Sequence, residues 1–317
     1  MHTHIGADHT DTAVAVMDQI GIEKMVDISP SFGERFERKV AAYAEHPGRF
    51  ELFGGFDFEG FGESGWIERE LERMEDTVEA GAVGFKIHKA LGLEHTDPDG
   101  ELIKADDERL APLFEKANEL DTLIAFHIAD PKSFFEPLDE VDQRWVDKGW
   151  WWGDREEYPY QWWALIRQLE RVIQRHPDTT FLGVHFGCAS EEVGYVADVM
   201  RENPNYIVDV SARIPWIGAH RADLVRDVFL EFQDRILFGT DFAAWETMML
   251  GVPQGFDPTP EDIETFYDAH WEYFETANTD ITNPTPWICD WQIDGIDLPR
   301  DVLEKLYVTN AERYLGM

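Results

Sequence analysis

The chain has 317 residues, with 27 Lys and Arg against 64 Asp and Glu, a formal charge of −37 and a 44% hydrophobic fraction. It is long enough for a large buried core and too apolar for a disordered chain, and no run of about 18 apolar residues could cross a membrane. The acid, spread along the whole sequence, excludes nucleic acid and anionic lipid as partners. The two cysteines (Cys188 and Cys289) and the absence of a secretory opening fit a cytoplasmic protein without a disulfide framework.

The first element is His2–Ile5, read as a strand whose His2 and His4 point to the same side because alternate strand residues share a face. Six further short apolar runs follow at Lys24–Ser29, Phe50–Phe58, Ala82–Lys89, Thr122–Asp130, Thr179–Gly187 and Asn205–Ala212, and Arg235–Phe242 makes the eighth. They are dense in Val, Ile, Leu and Phe, as buried parallel strands are. Amphipathic helices lie between them. In Trp66–Ala80 the residues Ile67, Leu71, Met74 and Val78 share a face, and in Tyr160–Arg175 so do Trp162, Leu165, Ile166, Leu169, Val172 and Ile173. His46-Pro47, His176-Pro177 and Asn203-Pro204 each end a helix before a strand, where proline breaks the helix. The rhythm predicts parallel strands with right-handed crossovers. The fold class is therefore α/β, a (β/α)8 TIM barrel in one domain over 1–317, which needs about 250 residues. The remainder goes to long loops at Asp130–Tyr160 after strand five and Ala243–Leu298 after strand eight. A doubly wound open sheet is the other architecture considered, but no early strand is followed by a glycine-rich dinucleotide-binding turn.

The chemistry collects at the strand ends. Strand four carries Lys86 and His88 on one face, with Phe85 and Ile87 on the other. Lys86 is either a buried, unpaired ammonium or a lysine at an exposed strand end. Strand five ends on His127, strand six on His185, and strand eight on Gly239-Thr240-Asp241. Each histidine alone reads as an ordinary core residue. Together with Asp241 they occupy the barrel face where active sites are built. His2, His4, His127 and Asp241 would give three imidazole nitrogens and one carboxylate oxygen, a donor set for one divalent ion, with zinc preferred. Asp241 and His185 are then the candidate proton carriers. Arg213, just past strand seven, either grips a substrate carboxylate or pairs with Asp209 or a loop acid. The two long loops hold Trp145, Trp150, Trp151, Trp152, Trp245, Trp271, Trp287 and Trp291, with Trp162 and Trp163 beside them. They read as an aromatic roof for the site or as packing and interface residues.

These pieces, with Gly84-Phe85-Lys86 and the closing stretch Tyr307–Gly316, resemble the amidohydrolase superfamily. The likeness is to its amidohydrolase-2 group, which includes aminocarboxymuconate-semialdehyde decarboxylase-like proteins. The resemblance implies a one-metal barrel enzyme with His2, His4, His127 and Asp241 as ligands and His185 as a catalytic group. It also implies a homodimer. In some superfamily relatives a strand-four lysine is carbamylated and bridges two metals, but this group usually manages without that bridge. The His-x-His pair begins at residue 2, so strand one is shortened, and weakened metal binding is expected. Three functions are weighed: metal-dependent hydrolysis of an amide, ester or lactone of a small molecule, non-oxidative decarboxylation of an unsaturated or aromatic acid, and a barrel without turnover. The acid-rich composition also reads as adaptation to high salt, which screens self-repulsion.

Overall fold

The structure, a computed structural model, describes residues 2–136, Trp152 and 161–316. Trp145, Trp150, Trp151 and Tyr160 lie outside the described residues. The strands are β1 Thr3–Ile5, β2 Met25–Asp27, β3 Phe50–Gly55, β4 Ala82–Ile87, β5 Leu123–Phe126, β6 Phe181–Gly183, β7 Tyr206–Asp209 and β8 Ile236–Leu237, followed by β9 Phe242–Ala244 and β10 Met248–Met249. The helices that alternate with them are α1 Thr10–Ile20, α2 Gly33–Tyr43, α3 Trp66–Glu79, α4 Ala111–Glu119, α5 Trp162–Arg175, α6 Val193–Glu202, α7 Ala222–Glu231 and α8 Pro260–Glu275.

The sheet runs β10-β9-β1-β2-β3-β4-β5-β6-β7-β8, and every neighbouring pair except β9 with β10 is parallel. The predicted eighth strand, Arg235–Phe242, is split. Ile236–Leu237 pairs with β7, and five residues later Phe242–Ala244 pairs with β1. One stretch of chain thus joins the last strand to the first, and the eight-unit barrel closes through it. The break has a local cause: Phe238 N–H leaves the sheet for the Leu306 carbonyl, and Asp241 has a φ of 60°, which no strand accommodates.

Inward-facing residues fill the barrel. Val26, Ile28, Phe53, Leu123, Ala125, Leu182, Val184, Ile207 and Leu237 form one buried cluster. Each of these side chains larger than alanine contributes about 1.5–3 kcal/mol on burial. Gly84 faces this interior because a Cβ there would stand 2.7 Å from the Phe53 ring. The remaining strand faces pack against the helices. Behind β1 and β2, the fully buried Asp27 accepts from Lys39 and Tyr43 of α2, and its Oδ1 takes the Ser29 N–H at 2.9 Å.

The long segment after strand eight is present, but it is not bare loop. It contains α8, whose Thr259 side chain caps the Asp262 N–H while Asp262 returns a bond to the Thr259 N–H. Pro260 sits in its first turn. Ile263, Phe266, Tyr267, His270, Tyr273 and Phe274 form its buried face. A small hairpin, β11 Ile281–Thr282 with β12 Gln292–Ile293, follows. Among the described residues no helix is long and apolar enough to cross a membrane.

Candidate metal centre

All eight parallel strands present their C-terminal ends to one mouth, and there the predicted residues are brought together. His2 and Asp241 approach with Nε2 to Oδ1 at 3.3 Å, and His4 Nε2 reaches the same oxygen at 3.1 Å. Ligand atoms of His2, His185 and Asp241 all lie within 4.8 Å of one another. These three residues also share a backbone oddity, with φ of 54°, 57° and 60°. The left-handed region costs a non-glycine residue about 1–3 kcal/mol. The strain falls where three donors are aimed at one point. His185 is therefore not on the strand predicted for it. β6 stops at Gly183, and a left-handed turn through His185, Phe186 and Gly187 carries the ring into the mouth.

The hydrogen-bond partners fix the ring orientations. Asp209 can only accept, so His2 Nδ1–H donates to its Oδ2 at 2.8 Å. His185 Nδ1–H donates to the Ser211 carbonyl at 2.9 Å. His4 Nδ1 sits 2.9 Å from Ser29 Oγ. In all three rings Nδ1 faces its support and Nε2 is left for the mouth. His2 Nε2 and Asp241 Oδ1 are buried with no hydrogen-bond partner, as is His127 Nε2. Imidazole lone pairs pointed at a carboxylate oxygen repel unless a cation lies among them. These acceptor-only groups fit a divalent ion, and the Asp209–His2 pair is the carboxylate–imidazole support that orients a ligand histidine.

Burial would raise the Asp241 carboxyl, but His2, His4 and His185 outweigh it and hold it well below the usual carboxylate range. Asp209 is held low in the same way by His2, His185 and Ser211. Burial lowers His4, and it lowers His127 and His185 well below the ordinary imidazole value, so their nitrogens are free to accept.

His127 follows β5, and its ring lies 4.5 Å from that of His185, but it is outside the His2, His185 and Asp241 group. His88 is exposed and stands 5.5 Å, ring to ring, from His127. Lys86 is buried at 2% exposure, and its Nζ has no partner. Burial pushes its ammonium down to about 8, against the pull of Asp209 and Asp241. Arg213 is buried as well, with Nη1 on the Ala212 carbonyl and Nε without a partner. Asp209, a candidate partner for it, is taken by His2 and Ser211.

A cavity of about 210 Å³ adjoins the centre, lined by His127, His185, Arg213 and Asp241 with Phe134, Trp216, Met249 and Ile288 among its apolar walls. The wall's tryptophan is Trp216, which sequence reasoning passed over. The predicted roof residues that are described mostly pack instead. Trp271 stacks on Phe238, Trp291 Nε1 donates to the Pro215 carbonyl, and Trp152 Nε1 donates to Asp130. Trp245, 42% exposed, lies 6.0 Å from the His4 ring. Asp209, Ser211 and Ser29 were also missed. The available signal was Asp209-Val210-Ser211, polar residues at alternate positions ending a buried strand.

A metal-site cluster at the mouth of a (β/α)8 barrel defines a class of barrel enzymes, and the comparison with known families agrees. The chain belongs to the Amidohydro_2 family, described as amidohydrolase, which matches residues 4–317. It is thus a member of an enzyme family, and the reading as a barrel without turnover has no support. No curated protein matches the chain. Among solved structures it is similar to 2,6-dihydroxybenzoate decarboxylase from Rhizobium, at 17% identity and TM-score 0.57 over 96% of this chain and 88% of that one. It is also similar to a dihydroxybenzoic acid decarboxylase from Polaromonas with bound manganese, at 16% identity and TM-score 0.58 over 96% and 85%. A third is 4-oxalomesaconate hydratase from Rhodopseudomonas palustris, at 15% identity and TM-score 0.57 over 97% and 80%. At these identities the likeness is one of fold.

Proposed function

We propose that the chain, one unit over residues 1–317, is a metal-dependent hydrolase of a small substrate bearing a carboxylate. The supporting observation is the meeting of His2, His185 and Asp241 through atoms that can only accept, with His4 Nε2 3.1 Å from the same Asp241 oxygen. His2, His4, His127 and Asp241 would hold one ion, and this set of three nitrogens and one oxygen suits zinc. A divalent ion bound there supplies Lewis acidity toward a carbonyl and lowers the pKa of water. His185 Nε2 takes the proton of the attacking water, while Nδ1–H on the Ser211 carbonyl steadies the charged ring. Asp241 is a second proton acceptor. Phe134, Trp216, Met249 and Ile288 exclude bulk water on one side of the cavity.

Arg213 fixes the substrate carboxylate. Arg213→Lys loses the two-pronged pair, so KM should rise about tenfold or more with kcat little changed. An unchanged KM would remove Arg213 from the site.

Non-oxidative decarboxylation is the second reading, supported by the decarboxylases among the fold relatives. It needs a proton delivered to carbon by a protein group or by water at the ion, and it calls on the same residues as hydrolysis. Assaying esters, lactones and aromatic acids side by side separates the two: acid release supports hydrolysis, and carbon dioxide release supports decarboxylation. A cytoplasmic location and a homodimer belong to the same proposal, as does adaptation to high salt. At 1 M salt the screening length is about 3 Å, so the thermal midpoint should climb by several degrees from dilute to molar salt. A midpoint indifferent to desalting counts against that adaptation.

A further inference from the structure

Lys86 has no role in the centre described above. It lies on the inward face of β4, and its Nζ is buried without a partner. It borders a groove of about 660 Å³ that also carries Phe56, Phe58, His88 and His95. This groove lies beside the metal-site cavity: His88 lines the groove, His127 lines the cavity, and their rings are 5.5 Å apart. On the other side of the centre, Arg213 is likewise buried without an ion pair among the described residues. Glu191 feels Arg213 through space, but its oxygens are taken by the Lys132 N–H and Ser190 Oγ.

Two buried cations flanking one centre are unexpected in a chain with 64 acids to 27 bases. Elsewhere Lys39 pairs with buried Asp27, and Lys89 with Asp130. An unpaired buried ammonium is costly, and a ligand anion removes that cost. Asp209 and Asp241 act on the ammonium through space but are engaged by His2, Ser211 and His4, and the acids on the groove make no ion pair with it. Glu59 and Glu94 are exposed, and Asp57 Oδ1 accepts the Glu59 N–H.

We propose that Lys86 forms a second anion subsite of this centre, and that the substrate is a dicarboxylate held by Arg213 at one end and by Lys86, in the aromatic groove, at the other. This rests on the reading above that the cavity takes a carboxylate substrate.

The test is calorimetric titration of the zinc-loaded chain with benzoate and with the three benzenedicarboxylate isomers. The wild type should bind its best dicarboxylate about 10- to 100-fold more tightly than benzoate, the value of one charged hydrogen bond. Lys86→Met should erase that preference, leave benzoate affinity within about twofold and leave metal content unchanged, while Lys86→Arg should keep the preference. If Lys86→Met does not fold, Lys86→Gln is read in its place. The proposal is overturned if the wild type shows no preference, if the preference survives loss of Lys86, or if loss of Lys86 lowers metal content. Failure of the metal reading appears separately, as a wild type that takes up no metal on elemental analysis. The same titration on the metal-free chain then decides the role of Lys86.

Discussion

Asp241→Ala should take up no zinc by elemental analysis and should lose about three orders of magnitude or more in turnover. Asp241 is the hinge of the centre. It is the sole carboxylate in the converging group, its Oδ1 lies within 3.3 Å of the His2 and His4 imidazoles, and its backbone N–H is pinned to the His2 carbonyl at 3.0 Å. Without it the imidazoles keep their supports, His2 on Asp209 and His185 on Ser211, but face one another across a gap with no anion. Losing Lewis-acid stabilisation of several kcal/mol corresponds to about a thousandfold or more in rate. His127→Ala should give the same phenotype for a different reason. Its Nε2 is outside the converging trio but buried with no partner, 3.9 Å from Asp130 Oδ1, so it has lone-pair capacity that nothing among the described residues uses. Full metal content and activity in both variants would refute the centre.

What could be read from the chain and what could not divide along a physical line. Strand positions were legible because buried parallel strands are short apolar runs, and the alternation at Phe85-Lys86-Ile87-His88 set Lys86 opposite Phe85 and Ile87 while leaving open whether it is buried, as the structure has it. The residues at strand ends were legible because parallel strands bring their C-termini to one mouth whatever the loops do. The supports were not. Asp209 and Ser211 matter through contacts 207 and 209 positions away in the chain, and no local pattern encodes which buried carboxylate meets which ring. Backbone turns were hidden for a related reason. His185 and Asp241 are held at positive φ by surroundings that over-determine them, against their own propensity, so the runs containing them read as continuous strand. α8 is a miss of another kind. Its Thr-Pro-Glu-Asp start is a helix signal, but the segment was read as loop, with only Trp271 singled out as roof or packing.

The support on the far side of the centre carries a second large expectation. Lys39→Met should destabilise the fold by about 3–5 kcal/mol in urea unfolding, because it leaves Asp27 as a buried carboxylate without its cation. Asp27 is fully buried and Lys39 nearly so, so solvent cannot compensate. The damage should spread to the metal site. Asp27 Oδ1 holds the Ser29 N–H, and Ser29 Oγ meets His4 Nδ1, so a shift of β2 disturbs the His4 ring. Acid titration separates this from a general packing loss. In the wild type, burial would raise the Asp27 carboxyl, but Lys39, Ser29 and Tyr43 outweigh it and hold it below the usual carboxylate range. A carboxyl lowered on folding stabilises above its unfolded value, and that contribution is lost as pH falls through the folded one. In Lys39→Met, burial loses its main opponent, the folded value rises above the unfolded one, and protonation relieves the strain. Between neutral pH and about pH 4 the variant should recover some stability while the wild type keeps the contribution of this group, and the wild type should lose it only below about pH 4. Parallel pH profiles in the two proteins would show that Lys39 is not what keeps Asp27 ionised.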